Sequence, residues 1–240
     1  MSDKKRSPME IYNARAVQPG FCHLNDISES LQYMILSLED MTFYAHNGVV
    51  TAAMWLSFRK SLRTGHLYGG STITQQLVKN LYFTFEKSWV RKAREIVIAR
   101  KFEKQLSKTQ ILELYLNIIY FDNGQYGISN ASRFYFGKTP AELTFNQAIF
   151  LSVLLPVVGI YNPLYHPEEY SRYRDKKIHA VFRYNPLYES MRYELEKHGP
   201  GCLDEELCKA SAETDKYNRP GPMINERFGP GMPESLICEH

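Results

Sequence analysis

The stretch from Gly69 to Asn80 constrains the chain most strongly, because two adjacent glycines precede a polar segment that can begin a helix. Glycine permits sharp turns and a close approach of the backbone to a ligand. The hydroxyl residues that follow are preferred helix N-caps. The polar side chains of this stretch are Ser71, Thr72, Thr74, Gln75, Gln76, Lys79 and Asn80.

This set of uncharged donors with one cation suits sugar hydroxyls and phosphate oxygens. A nucleotide P-loop would require Gly-x-x-x-x-Gly-Lys-Ser/Thr, which is absent from the stretch. Composition alone is equally compatible with a glycine turn followed by an N-capped helix that has a polar face.

The whole chain has the size and composition of a globular protein. Its 240 residues, 44% of them hydrophobic, suffice for one domain with a sizeable core plus a tail. A net charge of +3 is too small to indicate nucleic acid as a partner, although it allows a local basic patch. The cysteine spacing indicates neither a disulfide framework nor a metal site.

The N-terminal region shows no clear apolar period, so we predict an extended lead-in over residues 1–25. Residues 1–8 are charged and lack the apolar region of a secretory signal. No stretch reaches the ~18 to 20 apolar residues of a spanning helix. We therefore expect neither a signal peptide nor a transmembrane helix in this sequence.

A first amphipathic helix is predicted to begin near Asp26 and Glu29, whose spacing is typical of a capping box. Its buried face is predicted from the helical spacing of Ile27, Leu31, Met34, Ile35 and Leu38. Glu39 and Asp40 follow at the C-terminal end, where the helix dipole disfavours negative charge. With partial burial, this position is expected to raise the pKa of a carboxyl group toward that of a general base. An exposed Glu-Asp pair is the alternative.

A strong helix is predicted over residues 88–106, with Ser88 as its cap. Much of its apolar face is assigned to Trp89, Val90, Ala93, Val97 and Phe102. Arg91 and Lys92 precede Glu95 by four and three residues, so the three charged side chains share one surface. A surface salt-bridge cluster and a charged binding site are both compatible with this spacing.

Three further segments have distinct patterns. Residues 51–67 combine an apolar stripe that includes Trp55 with basic neighbours, which suits either a membrane interface or an ordinary amphipathic helix. Residues 143–155 are strongly apolar and are predicted to form a buried core helix. Residues 168–183 are predicted to form a charged surface helix, and the Gly- and Pro-rich region beyond His198 a flexible tail.

Together these segments resemble the five signatures of the peptidoglycan glycosyltransferases, also called transglycosylases or glycosyltransferase family 51. These enzymes polymerise lipid II and occur alone or as the first domain of bifunctional class A penicillin-binding proteins. The matching segments are Glu39-Asp-x-x-Phe43-x-x-His46-x-Gly48, Gly69–Asn80, Arg91-Lys-x-x-Glu95, Ile111–Phe121 and Tyr161-Asn-Pro163.

The resemblance covers about residues 27–182, and it implies a mainly α fold. The expected architecture is a lysozyme-like, helical, bilobed domain with a membrane-facing amphipathic segment at about residues 52–67. We accordingly expect a lead-in over 1–25, the glycosyltransferase domain over 26–185 and a C-terminal extension over 186–240.

The implied reaction transfers a growing glycan from undecaprenyl pyrophosphate to the sugar 4-hydroxyl of lipid II, with inversion from an α to a β-1,4 linkage. The resemblance assigns Glu39 as general base and Glu95 as the second essential carboxylate, at the pyrophosphate. Pyrophosphate is a weak base, so its departure requires neutralising charge rather than a strong acid. The substrate-binding positions implied are Asp40, Phe43, His46, Gly48, Ser71, Thr72, Thr74, Gln75, Gln76, Lys79, Asn80, Lys87, Arg91, Lys92 and Asn117.

Two alternatives remain open. A lysozyme-like hydrolase would use a protonated Glu and would gain nothing from a cationic pyrophosphate site. A non-catalytic module that binds lipid II or glycan would be compatible with the lack of the family's usual transmembrane anchor in this sequence and with departures from the family pattern at Val50, Asp122 and Val158. The intact carboxylates and cations favour the transferase.

The resemblance also implies partners and a location. A divalent cation, Mg²⁺ or Mn²⁺, is expected near Glu39, Asp40 or Glu95, without an organic cofactor. The expected partners are lipid II, the lipid-linked glycan, the membrane surface and a separate transpeptidase, with no nucleic acid. The expected location is the extracytoplasmic face of the bacterial cell membrane.

Overall fold

The computed structural model describes residues 5–50, 70–83, 88–157 and 162–184. These residues form helices joined by turns, and they contain no strand, only an isolated antiparallel bridge between Tyr120 and Tyr126. This confirms the predicted mainly α class and is consistent with a lysozyme-like helical domain. Across the described ranges, no helix is both long and apolar enough to cross a membrane.

The α-helices are numbered here in chain order. They are α1 Pro8–Ala16, α2 Glu29–Glu39, α3 Ile73–Tyr82, α4 Trp89–Gln105, α5 Lys108–Ile118, α6 Ile128–Phe136, α7 Phe145–Leu154 and α8 Pro167–Tyr184. Short 3-10 turns lie at Leu24–Asp26, Phe43–Ala45, Pro140–Glu142 and Leu155–Val157.

The prediction of an extended lead-in is wrong for residues 8–16, which form α1. Ser7 caps this helix, Pro8 occupies its first turn, and Ser7 and Glu10 bond reciprocally as a capping box. These local features stabilise a helix start without any amphipathic period. The apolar period of this segment is weak, so periodicity alone does not identify the helix.

The predicted start of α2 is also wrong by a few residues. Asp26 closes a 3-10 turn, and α2 begins at Glu29. The Ser28 hydroxyl accepts a 3.4 Å hydrogen bond from the backbone N–H of Leu31. Ser28, rather than Asp26, therefore accepts a hydrogen bond from the backbone at the start of α2.

The described residues divide into two compact units. The first unit comprises the described parts of residues 1–24 and 39–119. Within it, α3 packs against both α4 and α5. Its interior is apolar and includes Leu77, Val78, Ala99, Phe102, Ile111 and Leu114. Burying each large aliphatic or aromatic side chain stabilises such a core by about 1.5 to 3 kcal/mol.

The second unit comprises the described parts of residues 25–38 and 120–232. The predicted core helix is confirmed, because every residue of α7 after Phe145 is buried. The ring of Phe150 packs against those of Tyr135 and Tyr170 at centroid distances of 5.2 and 5.3 Å. Asp122 and Asn123 adopt left-handed conformations, with φ of 66° and 50°. Asp122 therefore occupies a backbone conformation that glycine adopts more easily.

Helix α4 forms over the predicted residues with Ser88 as its cap. Its predicted apolar face is confirmed at Phe102 and wrong at Val90, Ala93 and Val97. Val90 and Val97 are 62% and 68% exposed, whereas Glu95, Ala99 and Phe102 are buried. The buried face thus carries a carboxylate, which a hydrophobic period cannot identify. Helix α4 is oriented by its contact with α3, and this contact places the charged residues inward.

Candidate active site

Glu39 is the last residue of α2, as predicted from the sequence. Its Oε2 atom accepts a 2.7 Å hydrogen bond from the side-chain amide of Gln76 on α3. A hydrogen bond to a carboxylate favours its charged form, whereas the helix C-terminus disfavours it. The arrangement thus joins the first signature segment to the second through a single amide.

Tyr115 on α5 extends this contact. Its hydroxyl donates to the amide oxygen of Gln76 over 3.1 Å, and the tyrosine is completely buried. Burial, together with the charges of Glu39 and Asp40, raises the pKa of Tyr115 well above its ordinary value. Sequence reasoning does not identify Tyr115 as part of the site, because its spacing within α5 gives no sign of a partner on α3.

Asp40 is buried and binds two different elements. Its Oδ2 atom accepts from the backbone N–H of Ile73 at the start of α3, over 3.0 Å. Both of its oxygens lie within 3.0 Å of His46 Nε2. Asp40 therefore holds the loop after α2 against the N-terminus of α3, where the helix dipole favours negative charge.

Gly48 is held tightly by its neighbours. Its φ is +82°, and a Cβ at this position would lie 2.8 Å from Glu103 Cγ and 3.2 Å from the carbonyl oxygen of Ala99. Its own carbonyl accepts a 2.7 Å hydrogen bond from the hydroxyl of Thr72. Both the conformation and the close approach require glycine here.

The Gly69–Asn80 stretch divides into two sets of side chains. Thr72 and Gln75 form the reciprocal capping box of α3, and Thr74 donates to Glu103; all three are buried. Ser71, Gln76 and Lys79 instead bond or interact with charged residues of the site. The Nδ2 atom of Asn80 is buried and has no hydrogen-bond partner among the described residues. Gly69 lies outside those residues.

The predicted Arg91, Lys92 and Glu95 cluster is present on α4. The Glu95 side chain is 2% exposed, forms an ion pair with Lys92 and lies 3.8 Å from Arg91 Nη1. Lys92 also donates to the hydroxyl of Ser71 over 2.9 Å. Buried charges require partners, and this carboxylate has two cations beside it. The alternative of an exposed salt bridge does not describe Glu95.

Lys79 on α3 completes the cationic group, which we call the cation cluster and define as Lys79, Arg91 and Lys92. Burial lowers the pKa of Lys79, Glu95 raises it, and the positive charges of Arg91 and Lys92 lower it further. Lys79 also interacts with the charge of Glu39. The cluster places three cations around the single buried carboxylate of Glu95, so it retains net positive charge.

Two predicted substrate-binding residues make structural contacts. Phe43 is 1% exposed, with the amine of Lys108 lying 4.4 Å from its ring centroid. The amide of Asn117 bonds to the backbone N–H and carbonyl of Cys22, each over 2.8 Å. For both residues, a contact with substrate stays a prediction.

The described residues provide no coordination site for the expected divalent cation. The described residues contain no group of three or more His, Cys, Asp or Glu side chains placed to hold a metal ion. Asp40 binds His46 and Ile73, and Glu95 faces cations, which repel a metal. These residues do not fit a metal held by the protein alone.

Some predictions fall outside the described residues. These are the binding role of Lys87, the membrane-facing segment at about 52–67, the family departure at Val158 and the nature of the 186–240 extension.

Comparison with known proteins supports the sequence resemblance. The profile of a family described as Transglycosylase matches residues 7–182. Penicillin-binding protein 1F of Bacillus subtilis is 37% identical over 153 residues, and penicillin-binding protein 2a of Streptococcus pneumoniae is 40% identical over 155 residues. The biosynthetic peptidoglycan transglycosylase of Thiobacillus denitrificans is 39% identical over 160 residues.

The coverage differs between these relatives. The matched region spans 63% and 65% of this chain but only 21% of each penicillin-binding protein. It spans 66% of this chain and 67% of the Thiobacillus protein. The similarity thus concerns one region of the penicillin-binding proteins and most of the shorter relative.

Proposed function

The chain belongs to the transglycosylase family, and we propose that it polymerises lipid II into the β-1,4-linked glycan strands of peptidoglycan. The observation that carries this proposal is the cation cluster around the buried Glu95, with Lys79 interacting with both Glu95 and Glu39. Lys79 thus interacts both with the candidate base Glu39 and with Glu95, which lies among the cations of the proposed anion site. The name of the Thiobacillus relative supports a biosynthetic reaction.

In the proposed reaction, the Glu39 carboxylate takes the proton from the 4-hydroxyl of the acceptor sugar. The acceptor oxygen bonds to the donor C1 on the face opposite the pyrophosphate. The C1–O bond to pyrophosphate breaks, and its electron pair leaves with undecaprenyl pyrophosphate. The donor is α-linked and the product is β-linked, so the configuration inverts.

The cation cluster is proposed to bind the pyrophosphate and to stabilise the charge that develops as it leaves. Lys92 and Arg91 offer N–H donors held by Glu95, and Lys79 adds a partly desolvated charge. Removing one such donor from a preorganised site costs on the order of 10² to 10³ in kcat. Glu95 is proposed to orient these cations rather than to transfer a proton.

The cation cluster also supports the transferase over the hydrolase as the proposed function. Hydrolysis of a glycan would leave no pyrophosphate to bind, so excess positive charge beside Glu39 would have no role. Protein donors engage Asp40, Glu95 and one oxygen of Glu39, so a divalent ion would reach this site only together with the substrate.

The remaining partners and the location also stay proposals. We expect lipid-linked substrate at the extracytoplasmic membrane surface, with contact through about residues 52–67, and cross-linking by a separate transpeptidase. Co-sedimentation with anionic vesicles, compared between the wild-type protein and Trp55→Ala, tests the membrane contact. Equal binding of the two proteins would refute the assigned segment.

The function is tested with fluorescent lipid II, detergent and Mg²⁺ or Mn²⁺. Wild-type protein and the exposed-site control Glu169→Gln are expected to form glycan polymer, and Glu39→Gln is expected to form none. Bound lipid II without polymer from any variant would refute the enzyme and leave a binding module. Shortening of preformed strands would instead indicate a hydrolase.

A further inference from the structure

We propose that Tyr115 is a positioning residue for Glu39, acting through the side-chain amide of Gln76. This role rests on the proposed function of Glu39 as general base. The tyrosine hydroxyl fixes the amide so that its nitrogen, not its oxygen, faces the carboxylate.

The geometry supports one orientation of the amide. Tyr115 donates to Gln76 Oε1 over 3.1 Å, and Gln76 Nε2 donates to Glu39 Oε2 over 2.7 Å. Three helices contribute one member each, with Glu39 on α2, Gln76 on α3 and Tyr115 on α5. We call this pair of hydrogen bonds, from Tyr115 to Gln76 and from Gln76 to Glu39, the relay. It depends on packing between helices rather than on spacing along any one of them.

The relay matters most when Glu39 gains a proton. A neutral carboxyl group could donate its new O–H to the amide oxygen if the amide of Gln76 turned over. The turned amide would present its nitrogen to Tyr115. The tyrosine hydroxyl would then lose Gln76 Oε1, the oxygen that accepts its proton. A buried hydroxyl without an acceptor is costly, so Tyr115 keeps Gln76 as a donor.

Two consequences follow for Glu39. Its carboxylate keeps a fixed hydrogen-bond donor, which favours the charged form that accepts a proton. The hydrogen bond from Tyr115 also polarises the amide and strengthens its N–H donor. Burial and neighbouring negative charges raise the pKa of Tyr115, so the hydroxyl retains its proton at neutral pH.

Other groups near the relay share its electrostatic environment. Asp40, with His46 bound to it, lies on the loop after α2, and Lys79 lies on α3. Lys79 interacts in turn with the charges of Glu95, Arg91 and Lys92 on α4. A valid test must leave all of these groups unchanged, which a substitution of the tyrosine hydroxyl alone does.

The test compares Tyr115→Phe with Tyr12→Phe in the full chain. Tyr12 donates to Glu113 over 2.6 Å in the same unit, so its variant also removes one hydroxyl bonded to a carboxylate. The side-chain carboxyl ¹³C signal of Glu39 is identified by its loss in Glu39→Gln and is titrated by NMR. Tyr115→Phe is expected to move its midpoint upward by about half a pH unit or more, and Tyr12→Phe to leave it unchanged.

Activity provides a second readout. In Tyr115→Phe, the acid limb of the kcat profile is expected to move upward by the same amount, with KM for lipid II unchanged. In the Gln76→Ala background, the same tyrosine substitution is expected to cause no further shift, because the relay is already broken.

An unshifted midpoint in Tyr115→Phe, or an equal shift in Tyr12→Phe, would overturn the proposal. An undiminished shift in the Gln76→Ala background would show that Tyr115 does not act through the amide. Should Tyr115→Phe fail to fold, 3-fluorotyrosine at position 115 keeps the hydroxyl and makes it a stronger donor, and it must move the midpoint downward. Wild-type protein that titrates as expected but forms no polymer would refute the proposed function and leave the relay intact.

Discussion

His46 donates its Nε2 proton to Asp40 over 2.8 Å, because its other ring nitrogen already accepts the backbone N–H of Gly48 over 3.0 Å. The Gly48 bond requires Nδ1 without a proton and so selects the tautomer. Asp40 consequently receives two donors, one from His46 and one from the backbone of Ile73. The pair locks the loop that follows Glu39.

Asp40→Asn is expected to destabilise the protein by about 2 kcal/mol. Both carboxylate oxygens of Asp40 can accept hydrogen bonds from His46 and Ile73, whereas an asparagine side chain has a single acceptor oxygen. Urea unfolding measures the change. Glu169→Gln serves as the control, since Glu169 is exposed on α8. Equal losses from the two variants would contradict the assigned role of Asp40.

Gly48→Ala is expected to destabilise the protein by about 3 kcal/mol. Part of this loss is the left-handed backbone, about 1 kcal/mol or more for a residue with a Cβ, and the rest is the clash with Glu103 and Ala99. Gly20→Ala is the matched control, because its φ is +88° but nothing lies within 4 Å of an added Cβ. Thermal unfolding of both variants separates the clash from the backbone strain.

Lys79→Met is expected to lower kcat on the order of 10²-fold by removing a cation from the pyrophosphate site, while raising the free energy of unfolding. The folded state disfavours the charged amine, since burial lowers the pKa of Lys79. The resulting loss of stability is full below that lowered pKa, shrinks as the pH rises from it, and is gone above the ordinary lysine pKa of 10.5.

The stability gain of Lys79→Met should therefore shrink in alkaline solution, as measured by urea unfolding at several pH values. The exposed Lys176→Met is the control and is expected to change neither stability nor kcat. A loss of stability in Lys79→Met would show that the amine is stabilised by Glu95 more than it is opposed by burial.

Glu95→Gln is expected to destabilise the protein by about 3 kcal/mol, because Lys92 and Arg91 then lose a buried counter-ion. Added pyrophosphate should raise the melting temperature of this variant more than that of the wild-type protein, since an anion replaces the missing charge. Glu168→Gln removes a counter-ion of Arg172 at an exposed site and should have little effect. An equal response to pyrophosphate in wild type and Glu95→Gln would place the anion elsewhere.

Asn117→Ala is expected to destabilise the protein by about 2 kcal/mol through the loss of its hydrogen bonds to Cys22 and Glu113. Measurements of KM at a temperature where the variant remains folded test the separate prediction that Asn117 contacts substrate. A raised KM supports that contact, and an unchanged KM assigns Asn117 to the scaffold.

Much of the local structure could be predicted from the sequence. The cap at Ser88 and the apolar run of α7 form as expected. Each depends on residues within a few positions of one another, so their spacing alone carries the information. Helix α1 follows the same rule, since Ser7 and Glu10, which form its capping box, lie three residues apart in the sequence.

The buried face of α4 could not be predicted in this way. Its apolar residues Val90 and Val97 are exposed, while the buried Glu95 faces a cation from α3. A hydrophobic period assumes that the buried face is apolar, and the assumption fails where a charged site lies between two helices.

The sequence by itself determined the helical class, the ends of α4, α7 and α8 to within two residues, and the residue types gathered in the signatures. Only the tertiary structure decided that Tyr115 meets Gln76, that Gln76 meets Glu39 and that Lys79 joins the Glu95 cluster. Hydrogen bonds within a helix turn follow from chain spacing, whereas these contacts join residues from different helices. Such contacts exist only after burial of the apolar faces has set the position of each helix.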